Sequence, residues 1–130
     1  MSYFFTTTLK NTDFDTVLEK VAEQLKEHGF GIMTEIDVKA TLKKKIDVDF
    51  RPYKILGACN PVLAHKVLSA EAHIGVFLPC NVVVQENENG DIEVSAVDPV
   101  ASMQSVENDS LGEIATDVQA RMKRFIEELN

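Results

Sequence analysis

Two apolar stripes at helical spacing, one near each end of the chain, restrict its architecture more than anything between them. Phe14, Val17, Leu18, Val21, Ala22 and Leu25 form the first, and Leu111, Ile114, Ala115, Val118, Met122, Phe125, Ile126 and Leu129 the second. A helix with one apolar stripe is stable only when another layer covers that stripe. The residues between the two helices must therefore supply a sheet. Helix punctuation supports the reading. Thr12-Asp13-Phe14-Asp15 offers a hydroxyl cap with a carboxylate three residues on, and Gly29 a left-handed stop. Ser110-Leu111-Gly112-Glu113 reads as a second capping box, and Arg121, Lys123 and Arg124 lie toward the negative end of that helix dipole.

Strand signals fill the interval. Tyr3 to Leu9 is rich in aromatic and β-branched residues and is expected to pair with a strand close in sequence. From Phe30 to Ile36, Phe30, Ile32, Thr34 and Ile36 alternate with Gly31, Met33 and Glu35. Asp37 then caps a short helix, Val38 to Lys45, whose lysines crowd its last turn, and Asp47 to Pro52 form a loop. A third strand, Tyr53 to Cys59, stops at Asn60-Pro61, a capping residue followed by proline at the first helical position. The helix from Pro61 to Ala70 turns Leu63, Ala64, Val67 and Leu68 inward and His65 and Lys66 outward. Beyond His73, Ile74 to Leu78 and Val82 to Val84 read as strand on either side of Pro79, which implies a bulge or bend.

Asn89-Gly90 marks a hairpin into a strand from Asp91 to Val97 that ends at Asp98-Pro99, and a polar connection runs on to Asp109. A two-residue turn would set Val84 against Ser95 and mix the faces of the two strands. A three-residue loop, Glu88-Asn89-Gly90, sets Val84 opposite Val94 and Val82 opposite Ala96, so the apolar sets coincide and this register is expected. The fold class that results is α+β: a two-layer sandwich with a mainly antiparallel sheet and two long helices on one face. A doubly wound nucleotide fold lacks its Gly-rich phosphate loop here.

With 130 residues, 45% of them hydrophobic, the chain has the mass of one domain spanning residues 1–130. Its 21 acidic and 13 basic side chains give a charge of -8, which opposes phosphate backbones and anionic lipid. Neither nucleic acid nor a membrane is an expected partner. No apolar run approaches the ~20 residues of a membrane span, and the start Met1-Ser2-Tyr3-Phe4-Phe5-Thr6 lacks the charge and length of a signal peptide. A cytoplasmic protein with two reduced cysteines is the expectation.

Both cysteines precede asparagine, in Gly57-Ala58-Cys59-Asn60-Pro61 and Leu78-Pro79-Cys80-Asn81. Continuing the hairpin register puts Cys80 across from Asp98, and brings Cys59 to the same point if its strand neighbours the hairpin. The expected site is therefore a partly buried pocket holding two unbridged thiols, with Asn60 and Asn81 ordering the loops around it. Lys39, Arg51 and Tyr53 would suit an anionic small molecule, although lysines on a short helix are also what a solvated face looks like. A thiol redox reading rests on Cys59 and Cys80, because a helix N-terminus stabilises a thiolate, but no His is placed as base. A metal reading draws on Cys59, Cys80 and His65, with His73 as a further imidazole, since zinc or copper(I) favours thiolate and imidazole. His28, His65 and His73 otherwise read as surface residues. Hydrolase signatures such as Gly-x-Ser-x-Gly and His-Glu-x-x-His are absent and no cofactor is specified.

Glu35-Ile36-Asp37-Val38-Lys39-Ala40-Thr41, Gly57-Ala58-Cys59-Asn60-Pro61, Leu78-Pro79-Cys80-Asn81-Val82-Val83-Val84 and Asp98-Pro99 together resemble the domain of unknown function 302 (DUF302) family over nearly the whole chain. The resemblance implies a TBP-like β-α-β(4)-α fold and a dimer, and Phe4 and Phe5 on the first strand add apolar surface suited to self-association. The combined expectation is a non-catalytic homodimeric domain that binds a small ligand near the two Cys-Asn segments.

Overall fold

The computed structural model describes residues 2–130, so of the expected 1–130 unit only Met1 lies outside the described residues. In chain order the elements are β1 (Phe4–Leu9), α1 (Phe14–Glu27), β2 (Gly31–Asp37), α2 (Val38–Ile46), β3 (Tyr53–Cys59), α3 (Pro61–Ala70), a 3-10 segment (Ala72–Phe77), β4 (Cys80–Glu86), β5 (Ile92–Val97), α4 (Pro99–Ser102), a 3-10 turn (Asp109–Leu111) and α5 (Gly112–Leu129).

Five antiparallel strands form one sheet in the order β1-β5-β4-β3-β2. The hairpin has the register that coincident apolar faces require: Val82 opposes Ala96 and Val84 opposes Val94. Asn87 N–H donates to the Asp91 carbonyl at 2.9 Å, and Gly90 adopts a φ of 81°, which closes the loop over Glu88, Asn89 and Gly90. Val82, Val84, Ile92, Val94 and Ala96 are all fully buried, and α1 and α5 lie on them with Val17, Val21, Leu25, Met122, Phe125 and Leu129. Each such side chain stabilises the fold by about 1.5–3 kcal/mol. The sandwich expected from the two stripes is the fold observed.

Several local readings change. β1 does not pair with a sequence neighbour but with β5, Phe4 opposing Val97 and Leu9 opposing Ile92. β1 and β2 thus stand at opposite edges of the sheet and run parallel, so the chain between them passes through α1 on one face of the sheet. The α1 cap is Asp13 rather than Thr12, its carboxylate accepting from Thr16 N–H at 2.8 Å, where its charge also meets the positive end of the helix. Gly29, at φ 88°, ends α1 as expected. The Ser110 capping box does not form. Asn108 accepts from Ser110 N–H, and α5 grows out of the 3-10 turn that this bond starts.

Ile74 to Leu78 were expected to be strand, but residues 72–77 are 3-10 helix. β3 has already turned into α3 and β5 has ended, so no neighbour remains to pair with them, and the backbone closes short bonds such as Leu78 N–H to the Gly75 carbonyl. His28 is not a surface residue: its side chain is 11% exposed and bridges the Gln24 carbonyl and Glu128 of α5, each at 2.8 Å. Among the described residues no helix is long and apolar enough to cross a membrane.

Candidate functional site: an apolar cavity walled by two thiols

β3 and β4 pair at Ala58 and Cys80, which brings the two Cys-Asn segments side by side at one end of the sheet. Cys80 lies on the same face as Val82 and Val84 because side chains alternate along a strand. Cys59 ends β3, and Asn60 accepts from Leu63 N–H at 3.0 Å to start α3, with Pro61 in the first turn. α3 thereby leaves the sheet at a point that α1 does not cover. A second apolar cluster, Val67, Ile74 and Leu111 with Leu78, Met103 and Ile114 against it, ties α3 and the 3-10 segment to the start of α5.

Between these layers lies a cavity of about 330 Å³, bordered by Cys59, Asn60 and Cys80, by Leu63, Ala64 and Val67 of α3, by Leu78 and Pro79, and by Ile114, Ala115 and Val118 of α5. Phe30, Met33, Thr34, Met103, Ala58, Leu68 and Pro99 also border it. Among the described residues no charged side chain borders it. Gly57 shapes the adjoining edge, since a Cβ there would collide with the Thr34 hydroxyl and come within 2.5 Å of Pro79 Cγ. The Leu78–Pro79 peptide is cis.

Both cysteines are free thiols. Burial, and after it the neighbouring Cys59 thiol, pushes Cys80 up to about 11. Cys80 is therefore protonated at neutral pH, which counts against its acting as an unassisted nucleophile.

The other residues expected at the site are distributed elsewhere. Asn81, next to Cys80 on its strand, points to the opposite face and borders a shallow groove with Tyr53, Gln85 and Glu93. Arg51 donates from Nε to Gln85 Oε1 at 3.0 Å, its guanidinium 4.5 Å from the Phe50 ring centre and 5.4 Å from that of Tyr53. Lys39 is exposed on α2, away from both. Lys39, Arg51 and Tyr53 thus do not converge on the cavity, and the acidic Glu93 shares the groove that Tyr53 borders. Asp98 turns its carboxylate to α4, accepting from Val100 and Ala101 N–H, and to Gln119 Nε2 at 3.0 and 3.1 Å. His65 is exposed on α3 and does not border the cavity. Among the described residues no three His, Cys, Asp or Glu side chains are grouped to hold a metal ion, so the set Cys59, Cys80 and His65 is not assembled.

Two bordering residues were hidden in the sequence. Met33 is reached through a register shift in β2 between Ile32 and Thr34, a bulge that re-aims the strand. Met103 follows α4 in a stretch whose composition is mostly polar. A methionine amid that polar connection was the one available sign.

Fold and cavity define a class: a small α+β sandwich whose helix layer is open at one end over an apolar, thiol-bordered cavity. The chain belongs to the family described as Domain of unknown function DUF302, whose profile matches residues 5–129. It is similar to the crystal structure of uncharacterized conserved protein DUF302 from Bacillus stearothermophilus, with 30% sequence identity and a TM-score of 0.90 over 100% of both chains. No curated protein matches it.

Proposed function

We propose that this DUF302 protein is a non-catalytic, homodimeric binding domain of the cytoplasm, acting as one domain, and that its ligand is a small, largely apolar molecule. The cavity carries this reading. Its volume of about 330 Å³ falls at the lower end of the ~300–1,000 Å³ range of small-molecule sites, which are mostly apolar with a few placed polar groups. Here those groups are the Asn60 amide, the Thr34 hydroxyl and the two thiols. An anionic ligand, expected from Lys39, Arg51 and Tyr53, meets no cationic side chain of the described residues in this cavity. Dimerisation is supported by the uncovered sheet face, where Tyr3 and Phe4 stack edge to face at 5.0 Å and remain exposed. The -8 charge disfavours nucleic acid and anionic lipid as partners.

The test is displacement of an environment-sensitive apolar dye by a panel of apolar and amphipathic metabolites, with thermal shift as the second readout. A ligand at 100 times its Kd stabilises the fold by about 2.7 kcal/mol. Ala64→Phe, which fills the cavity from α3, should abolish both signals. Dye binding that Ala64→Phe leaves intact refutes the site. Sedimentation of the chain as a monomer at high concentration refutes the dimer.

A further inference from the structure

Sulfur is concentrated at this cavity. Both cysteines border it, and so do Met33 and Met103. Of the methionines after Met1 only Met122 lies elsewhere, in the central core. Three separate features of the fold produce this arrangement: the pairing of Ala58 with Cys80, the β2 bulge beside Met33, and the short α4 that ends at Met103.

Thiolates and thioethers are soft ligands, and they select soft ions over hard ones. A structural zinc site takes four thiolate or imidazole ligands, and this wall offers two thiols and no imidazole. A soft monovalent ion is satisfied by two thiolates. Burial in an apolar wall opposes an isolated thiolate, and a bound monocation offsets that cost. The one negative charge left on a bis-thiolate complex lies beside the N-terminus of α3, a ten-residue helix whose dipole is positive at that end.

We infer that Cys59 and Cys80 form a site for a soft monovalent cation of the copper(I) class, with Met33 and Met103 on the border of the same cavity. Binding balances as one monocation plus two thiols giving one bis-thiolate complex and two protons, with no electron transferred. The site uses the wall of the cavity rather than its volume, so it is independent of the apolar ligand proposed above.

Silver(I), which does not oxidise thiols to disulfide under these conditions, is the probe. Titrated into the full-length protein in weak buffer, it should bind at one ion per chain and release two protons, and zinc(II) should compete poorly. Removing even an outer-shell partner of a metal ligand costs about 10–100-fold in affinity, so Cys59→Ser and Cys80→Ser should each cost at least about 100-fold. Met33→Leu and Met103→Leu should weaken binding less. If Cys80→Ser fails to fold, Cys59→Ser and protection of Cys59 from alkylation by silver(I) carry the test. Silver(I) affinity unchanged in Cys59→Ser, or zinc(II) bound as tightly as silver(I), overturns the inference. Silver(I) binding without any apolar ligand upholds it while refuting the function proposed above, and the reverse refutes the metal site alone.

Discussion

Gly57 tests how tightly the edge of the cavity is packed. A glycine inside a strand is ordinarily a liability, and replacing it with alanine should stabilise by roughly 0.5–1 kcal/mol. At this position the added Cβ would strike the Thr34 hydroxyl and approach Pro79 Cγ to 2.5 Å. Thr34 stands on an edge strand and has room to rotate, but Pro79 is a rigid ring held between Leu78 and the first residue of β4. Forcing a methyl into packed surroundings costs typically 1–3 kcal/mol, so Gly57→Ala should destabilise by about 1–2 kcal/mol net. For 130 residues the entropy of unfolding is about 270 cal/mol/K, which converts that loss to a fall in Tm of roughly 4–7 °C. Calorimetry of Gly57→Ala, Thr34→Ala and the double variant provides the measurement. The double variant should lose less than the two single effects added together, because Thr34 is one of the two obstacles. Since Pro79 borders the cavity, dye binding should weaken in step. A Tm equal to or above that of the parent protein would refute the packing argument.

Three further outcomes are expected. Burial first, and the Cys59 thiol second, raise Cys80 from 9.0 to about 11, so the folded state keeps a proton that the unfolded chain loses. Stability should be full below pH 9 and decline as pH rises toward 11, by about 2–3 kcal/mol. Urea midpoints against pH should fall less between pH 9 and 11 in Cys80→Ala than in the parent. Asp98→Ala removes the α4 cap and both contacts to Gln119, and should cost about 1–2 kcal/mol by chemical denaturation. Arg121 donates from Nε to Asp117 at 2.9 Å and from Nη1 to the His28 carbonyl at 3.1 Å, fastening α5 to the end of α1. Arg121→Ala should cost about 1 kcal/mol and speed amide exchange at the C-terminus of α1.

Whatever depends on a few consecutive residues was legible before the structure. The stripes of α1 and α5, the caps at Asp37 and Asn60 and the stop at Gly29 are local, each determined within one or two turns. The hairpin register was legible too, because a slip of one residue would put Val82 and Val84 on the opposite face from Val94 and Ala96. That the two Cys-Asn segments lie side by side needed the pairing of β3 with β4, an adjacency the sequence left as a condition. The tertiary structure alone decided that β1 would cross to β5, that Met33 would fall at a bulge, and that residues 72–77 would coil for want of a strand to pair with. It also turned Asp98 to α4 and Gln119, and kept Lys39, Arg51 and Tyr53 away from the thiols. The physical reason is the range of the forces involved. Periodicity and capping act over a few residues, whereas strand order, bulges and the shape of a cavity depend on which distant surfaces remain to be covered once the sheet has closed.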